Sequence, residues 1–322
     1  MFRLVLSFLA VLVVNQGAVS AAPLSRAQAL AALEQVAHSG RNLDYQGVFV
    51  IQRGENVETC RITHLGSGPV EREKVERLDG EPLEIVRVES DVLVYVPKER
   101  FVKSRAGVIE RSFPAMTGEQ IATIGELYEV HVGGKERIAG RFATHLTLLP
   151  KDNHRHRHEV WIDQRTALQL KAQMFDERGQ LVEQVMFTEL SFNEPITRSM
   201  VESAYAEEAL AWRMDKGARQ RLGSSASSHW EAAATPPGFK KVMEVSKGRG
   251  KKGHRVHLVY SDGLSAVSVF IESRKKRGFE SGLKKEGPLN VYRRVIEDQF
   301  VTVIGDVPAD TIQLIGDSLV KK

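Results

Sequence analysis

The feature that most constrains this chain is a period of two that sets in at Asp44 and recurs, with interruptions, as far as Phe192. Apolar and polar residues alternate over residues 45–52, 57–64, 70–77, 83–88 and 92–96, and Gly54, Gly66, Gly80 and Pro97 punctuate the runs. Such alternation places successive side chains on opposite faces of a strand, and glycine-bearing gaps mark hairpins. This half of the chain therefore reads as an antiparallel meander. Strand-like runs resume over 128–132, 137–149, 155–162, 167–175 and 182–192, with Asp176, Glu177, Arg178 and Gly179 as the turn between the last two. A sheet of this size must cover or close one face. Two short helices are available for that. Ser25 and Gln28 have capping-box spacing ahead of Leu30, Leu33, Val36 and Ala37, and Ile121, Ile124 and Leu127 carry a helical spacing of their own.

The texture changes after about Ala204. Residues 204–235 are rich in Ala, Glu, Arg, Gly and Ser, with Gly223, Ser224, Ser225, Ala226, Ser227 and Ser228 at the centre, which is linker composition. Beyond Pro236 and Pro237, strands are expected near 239–245, 254–260, 266–272, 291–296 and 301–304. A closing helix from about Pro308 would bury Ile312, Ile315 and Leu319. The fold class is α+β in two domains, 23–203 and 236–322, joined by the linker 204–235.

The chain opens on Met1, Phe2 and Arg3, followed by an almost unbroken apolar run from Leu4 to Val14 and small residues from Ala18 to Ala22. A basic start, an apolar stretch of eleven residues and a small-residue site have the form of a secretory signal peptide over 1–22. The run is well short of the roughly 20 residues that span a bilayer. The expected address is the periplasm. Cys60 is the one cysteine, so no intrachain disulfide is available, and a half-buried strand thiol competes with an intermolecular bridge as its reading. Charge is split: residues 23–235 carry 27 Lys+Arg against 31 Asp+Glu, a net of −4, whereas residues 236–322 carry 17 against 10, a net of +7. A basic exported domain points to an acidic protein surface or anionic headgroups rather than to nucleic acid.

Catalytic motifs are lacking: there is no nucleophile elbow and no H-E-x-x-H helix, so no enzyme class is supported. In a strand, His154, His156 and His158 would project from one face and Arg155 and Arg157 from the other. Their spacing of about 7 Å along a strand is too splayed for three imidazoles on one metal, which leaves a phosphate-greeting strand end or a merely solvated one. Gly248, Gly250 and Gly253 satisfy G-x-G-x-x-G, but they join two predicted strands, so a dinucleotide site is not expected. Lys247, Arg249, Lys251, Lys252 and Arg255 instead make that segment a basic loop, which with Arg274, Lys275, Lys276, Arg277, Lys284 and Lys285 is either a cationic surface for an acidic partner or a solvated charge run. No cofactor or metal is expected. The first sheet carries Phe49, Ile51, Trp161, Leu168, Leu170, Met174 and Met186, either as ordinary core or as the wall of an acyl-chain groove.

Three strings in the second half resemble the MucB/RseB family: Pro237, Gly238, Phe239; Tyr260, Ser261, Asp262, Gly263, Leu264 with Val267 to Glu272; and Val301 to Pro308. In the first half Trp161, Ile162, Asp163, Leu168, Leu170, Phe175, Asp176, Gly179 and Phe187 look like the same family's lipoprotein-carrier-like sheet. The resemblance implies an unclosed N-terminal β-barrel and a smaller C-terminal domain. It implies a periplasmic negative regulator of a sigma-E type stress factor, which binds the periplasmic part of a membrane anti-sigma factor of RseA or MucA type. That binding shields the anti-sigma factor from site-1 proteolysis until a lipopolysaccharide-related lipid releases it. On this reading Tyr260, Asp262, Leu264, Phe270, Arg274 and Lys275 meet the partner, and the seven apolar residues above meet the lipid. A lipid or lipoprotein carrier is the alternative, and self-association is left open.

Overall fold

The computed structural model describes residues 26–89, 91–106, 113, 116–215, 228–247, 255–273 and 280–322. The first domain is a sheet of twelve strands. In chain order they are β1 (Tyr45–Arg53), β2 (Asn56–Leu65), β3 (Arg72–Arg77), β4 (Glu84–Val88), β5 (Asp91–Val96), β6 (Phe101–Ala106), β7 (Tyr128–Ile138), β8 (Arg141–Pro150), β9 (Arg157–Asp163), β10 (Gln169–Phe175), β11 (Leu181–Ser191) and β12 (Arg213–Asp215). Their spatial order is 12-6-5-4-3-2-1-11-10-9-8-7. Two meanders thus meet where β1 pairs with β11, and among the described residues β12 and β7 lie at the two edges without pairing to each other, so the barrel is unclosed. Neighbours are antiparallel except β12, which runs parallel to β6.

Two helices close one face. α1 (Arg26–Asn42) contributes Leu33 and Val36, both fully buried, and α2 (Gly118–Leu127) contributes Ile121 and Ile124. They pack on Tyr128, Val130, Leu146, Leu148 and Val160 of the sheet. A reciprocal capping box fixes where α2 starts: Gln120 N donates to Thr117 Oγ1 at 3.3 Å and Thr117 N donates to Gln120 Oε1 at 2.7 Å.

The single strand expected over 137–149 is two. Ala139 and Gly140 have φ of +47° and +77°, the left-handed pair of a two-residue hairpin, and Ile138 pairs with Arg141 across it. Ala-Gly does not announce such a turn as Asn-Gly would. β6 was not expected either. The interval expected to be linker carries sheet at both ends: β12 extends the first domain, with Ala209 buried against Val102 and Tyr95, and β13 (Trp230–Ala232) belongs to the second. Residues 216–227 lie outside those described.

The second domain has β14 (Lys240–Lys247), β15 (Arg255–Ser261), β16 (Ala266–Glu272), β17 (Gly282–Glu286), β18 (Leu289–Ile296), β19 (Gln299–Gly305), α3 (Ala309–Asp317) and β20 (Leu319–Lys321). Six of these strands form an antiparallel sheet in the order 14-15-16-19-18-17, and β13 pairs with β20 beside it. α3 lays Ile312 and Ile315 on Val256, Leu258, Val267, Val269, Val301 and Val303, a core closed to solvent. Burying an aliphatic side chain of this size is worth about 1.5–3 kcal/mol, so these rows account for much of the domain's cohesion. Gly316 lets α3 come close: a Cβ there would lie 2.6 Å from the Tyr292 ring. Leu319, expected inside the helix, is buried from β20 instead.

Candidate functional site at the domain junction

The run His154 to His158 is not a continuous strand. Asp152 Oδ1 accepts the His154 amide at 3.0 Å, an Asx turn that bends the chain away from sheet geometry, and β9 begins only at Arg157. That bend turns Arg155 inward, where its side chain is closed to solvent. Its Nε and Nη2 donate to the two oxygens of Asp152 at 2.9 and 3.0 Å. Nη1 donates to Asp262 Oδ2 at 2.7 Å and Nη2 to the Pro237 carbonyl at 2.7 Å, both in the second domain. The ring of Phe239 lies 5.6 Å away. Asp262 is equally committed, since its Oδ1 accepts the amides of Leu264 and Ser265 at 3.0 and 2.8 Å. A buried guanidinium with its donors used on two carboxylates and a carbonyl offsets the cost of desolvating it; removing one member does not.

The neighbouring side chains also lie between the domains. Thr311 of α3 donates to the His154 carbonyl at 2.8 Å and stands 3.2 Å from His154 Nδ1. His156 is 3% exposed and lines a cleft of about 240 Å³ with Asp176, Arg178, Lys285 and Asn290, where Lys285 reaches Asp176 at 3.3 Å. His158 lines a smaller cavity of about 100 Å³, walled by Met116, Leu148, Met174 and Glu183 of the first domain and by Leu264 and Asp306 of the second. Gly238, at φ +82°, completes the fit, because a Cβ there would come within 2.5 Å of Leu127.

The electrostatics follow from burial. Desolvation lowers His156, and desolvation with help from His156 takes His158 down to about 4, so both rings are neutral at pH 7. Burial and the Glu183 charge push Asp306 up to about 6. Burial raises the Asp152 carboxyl, but the Arg155 hydrogen bond and the His154 amide outweigh it and hold the group below its ordinary value. Burial and the Asp262 charge raise the Tyr128 phenol well above its usual range. No group of three or more His, Cys, Asp or Glu able to hold a metal ion occurs among the described residues. The arrangement is a clasp between domains, with a largely apolar cavity and a cleft of mixed lining beside it.

Residues 28–205 match the MucB/RseB N-terminal domain, and residues 224–320 match the MucB/RseB C-terminal domain. The chain belongs to the MucB/RseB family. Family members similar to it include the sigma-E factor regulatory protein RseB of Haemophilus influenzae, 26% identical over 92% of this chain and 91% of that protein. The sigma factor AlgU regulatory protein MucB of Pseudomonas aeruginosa is 28% identical over 89% of each chain. Among solved structures, MucB in the Pseudomonas aeruginosa MucA/MucB complex superposes with a TM-score of 0.73 at 25% identity, over 92% of this chain and 99% of that one. A second structure, MucB in complex with MucA(peri), gives 0.70 at 26% identity over 91% and 99%.

Within this family fold, the residues expected to meet a partner do not share one surface. Tyr260 is buried, its hydroxyl accepting the Ala232 amide at 2.7 Å, and Asp262 faces Arg155. Leu264 packs into the first domain's helix-covered core. Phe270 is half-exposed and stacks on His257 at 4.2 Å. Arg274 and Lys275 lie outside the described residues, as do Arg249, Lys251 and Lys252. Of the residues expected to meet lipid, Phe49, Trp161, Leu168 and Leu170 are packed core, with Phe49 6.0 Å from Phe187. Ile51 and Met186 are half-buried against that core, and Met174 lines the junction cavity. Arg155 and Asp152 were not foreseen as a clasp. The signal that could have found them is Asp152 two residues before the histidine run, an Asx-turn spacing that argues against a strand there.

Proposed function

We propose that this protein is a periplasmic negative regulator of an envelope-stress sigma factor. It binds the periplasmic domain of a membrane anti-sigma factor of RseA or MucA type, shields it from site-1 proteolysis, and lets go when a lipopolysaccharide-related lipid binds. The observation that carries this reading is the likeness, over nine-tenths of the chain, to MucB in complex with MucA. The secretory form of residues 1–22 supports a periplasmic address, and the net charge of +7 over residues 236–322 suits an acidic partner.

On this reading the route from lipid to release runs through the junction. A cavity of about 100 Å³ holds a few waters, not an acyl chain, so a lipid entering beside Met174 has to displace Leu264 and with it the second domain. Lipid can act only by binding the two domain arrangements with different affinity. Mature protein immobilised with the anti-sigma factor's periplasmic domain tests the reading. Micromolar binding at low salt, and slower cleavage of the bound domain by the site-1 protease, are expected; no binding under those conditions contradicts it.

A further inference from the structure

The first sheet has a second face, opposite the one that carries Phe49, Ile62 and Val75 into the core. On it, cross-strand register sets Glu189, Val48, Arg61 and Glu76 in one row across β11, β1, β2 and β3, and Lys74 follows in the next row, opposite Thr63. The chain leaving β11 crosses back over these rows and lays Ile196 and Met200 against them. It is pinned where Glu84 of β4, 5% exposed, accepts Ser203 Oγ at 2.5 Å and the Ala204 amide at 3.0 Å. Sheet and crossing segment enclose a cavity of about 430 Å³, within the size range of small-molecule sites.

Charge is sorted inside this cavity. At the β2–β3 end the Lys74 side chain is only 12% exposed, and the one carboxylate within 4.0 Å of it among the described residues is Glu76, at 3.7 Å, too far for a hydrogen bond. Arg61 is half-buried, and its side chain makes no hydrogen bond or ion pair with the described residues. At the β11 end Glu189 and Glu194 are exposed and have no cation partner among the described residues. Two strand spacings, about 10 Å, separate the Arg61 and Glu189 backbones. A cation drawn out of water without an acceptor is costly, so the Arg61–Lys74 end is set for oxygens that the chain does not itself supply. We propose that the cavity binds a phosphoethanolamine group, its phosphate on Arg61 and Lys74 and its primary ammonium on Glu189 and Glu194. The guanidinium fork and the neighbouring ammonium suit phosphate oxygens. Two cations against three carboxylates disfavour a bare anion, and the carboxylates accept N–H donors, which a primary amine has and a quaternary one lacks. The inference does not depend on the function proposed above.

The test titrates the full mature chain with glycerophosphoethanolamine, glycerophosphocholine and glycerol phosphate in a calorimeter. The first is expected to bind roughly 10-fold more tightly than either of the others. Arg61→Gln should weaken that binding about 5-fold or more, and Glu189→Gln should erase the preference over glycerol phosphate. Leu210→Asp, at an 89% exposed position elsewhere in the first domain, leaves all three affinities unchanged. Circular dichroism checks that each variant is folded, and if Arg61→Gln is not, the exposed Glu189→Gln decides. Flotation with vesicles of phosphatidylethanolamine and phosphatidylcholine, against phosphatidylcholine alone, separates the sources of the group. Binding to the mixed vesicles only assigns it to a bilayer headgroup, binding of the soluble ester without vesicle binding assigns it to a free metabolite, and either supports the site. Equal affinity for the three probes, no binding of any of them, or wild-type affinity in the folded variants overturns it.

Discussion

Arg155 in the first domain donates to Asp262 in the second at 2.7 Å, and both side chains are closed to solvent. The pair joins two sheets whose domains also meet through Leu264, which packs on the first domain's core, and through Gly238 against Leu127, so the relative placement of the domains depends on this polar clasp together with a few close apolar contacts. Replacing Arg155 by Ala leaves the carboxylates of Asp152 and Asp262 without their shared cation. A loss of about 3–5 kcal/mol is expected, the usual cost of breaking a buried pair from one side. Urea unfolding together with small-angle scattering reads it. Separated domains with each core intact fit the account, and an unchanged scattering profile does not.

The junction also sets a pH dependence with two opposing parts. Burial, with help from His156, lowers His158 from 6.5 to about 4, so the folded protein is favoured above pH 6.5 and loses ground as pH falls toward 4. At pH 5 that loss amounts to about 2 kcal/mol. Asp306 works the other way: it is raised from 3.8 to about 6, so its contribution is present in acid and is lost as pH rises through 6. The two partly cancel between pH 4 and 6. Asp306→Asn should therefore make the melting temperature fall more steeply than in the wild type between pH 6.5 and 5, and equal slopes would refute the opposition.

Cys60 is buried in β2, and burial, then the Glu58 charge, push its thiol up to about 11. At pH 8 the native thiolate fraction is roughly 100-fold below that of a thiol titrating at 9.0. Iodoacetamide labelling of the native protein should be slower than labelling of the urea-unfolded chain by about that factor. Comparable rates would place the thiol at the surface.

Ala139 holds φ +47° in the hairpin between β7 and β8, a conformation that costs a residue with a Cβ about 1 kcal/mol. Ala139→Gly or Ala139→Asn should raise the melting temperature modestly. At Gly238 the reverse holds: Gly238→Ala adds a Cβ 2.5 Å from Leu127 at positive φ and should loosen the junction. A melting curve for each variant checks the signs.

Much of this architecture is legible in the residues, for a definite reason. Alternation in segments such as 45–52 and 57–64 is imposed by one buried face, and the same alternation sets the register of β1 against β2. The missed features are those in which a local pattern yields to a contact far along the chain. The histidine run alternates as a strand would, but an Asx turn at Asp152 and the pull of Asp262, more than 100 residues away, bend it. Phe49, Leu168 and Leu170 read equally well as core or as groove wall, because composition does not say whether another side chain fills the space. In the structure they sit together in one packed cluster. Tyr260 and Asp262 stand in recognisable family strings, yet they serve the protein's own packing.

The most direct test of the regulator reading is release. Purified mature protein is bound to the periplasmic domain of the anti-sigma factor, and lipopolysaccharide fragments are titrated in while affinity and scattering are followed together. The account predicts that affinity falls as the domains separate, with Arg155→Ala already shifted toward the released state. Affinity that is indifferent to the lipid, or release with the junction still closed, would contradict it.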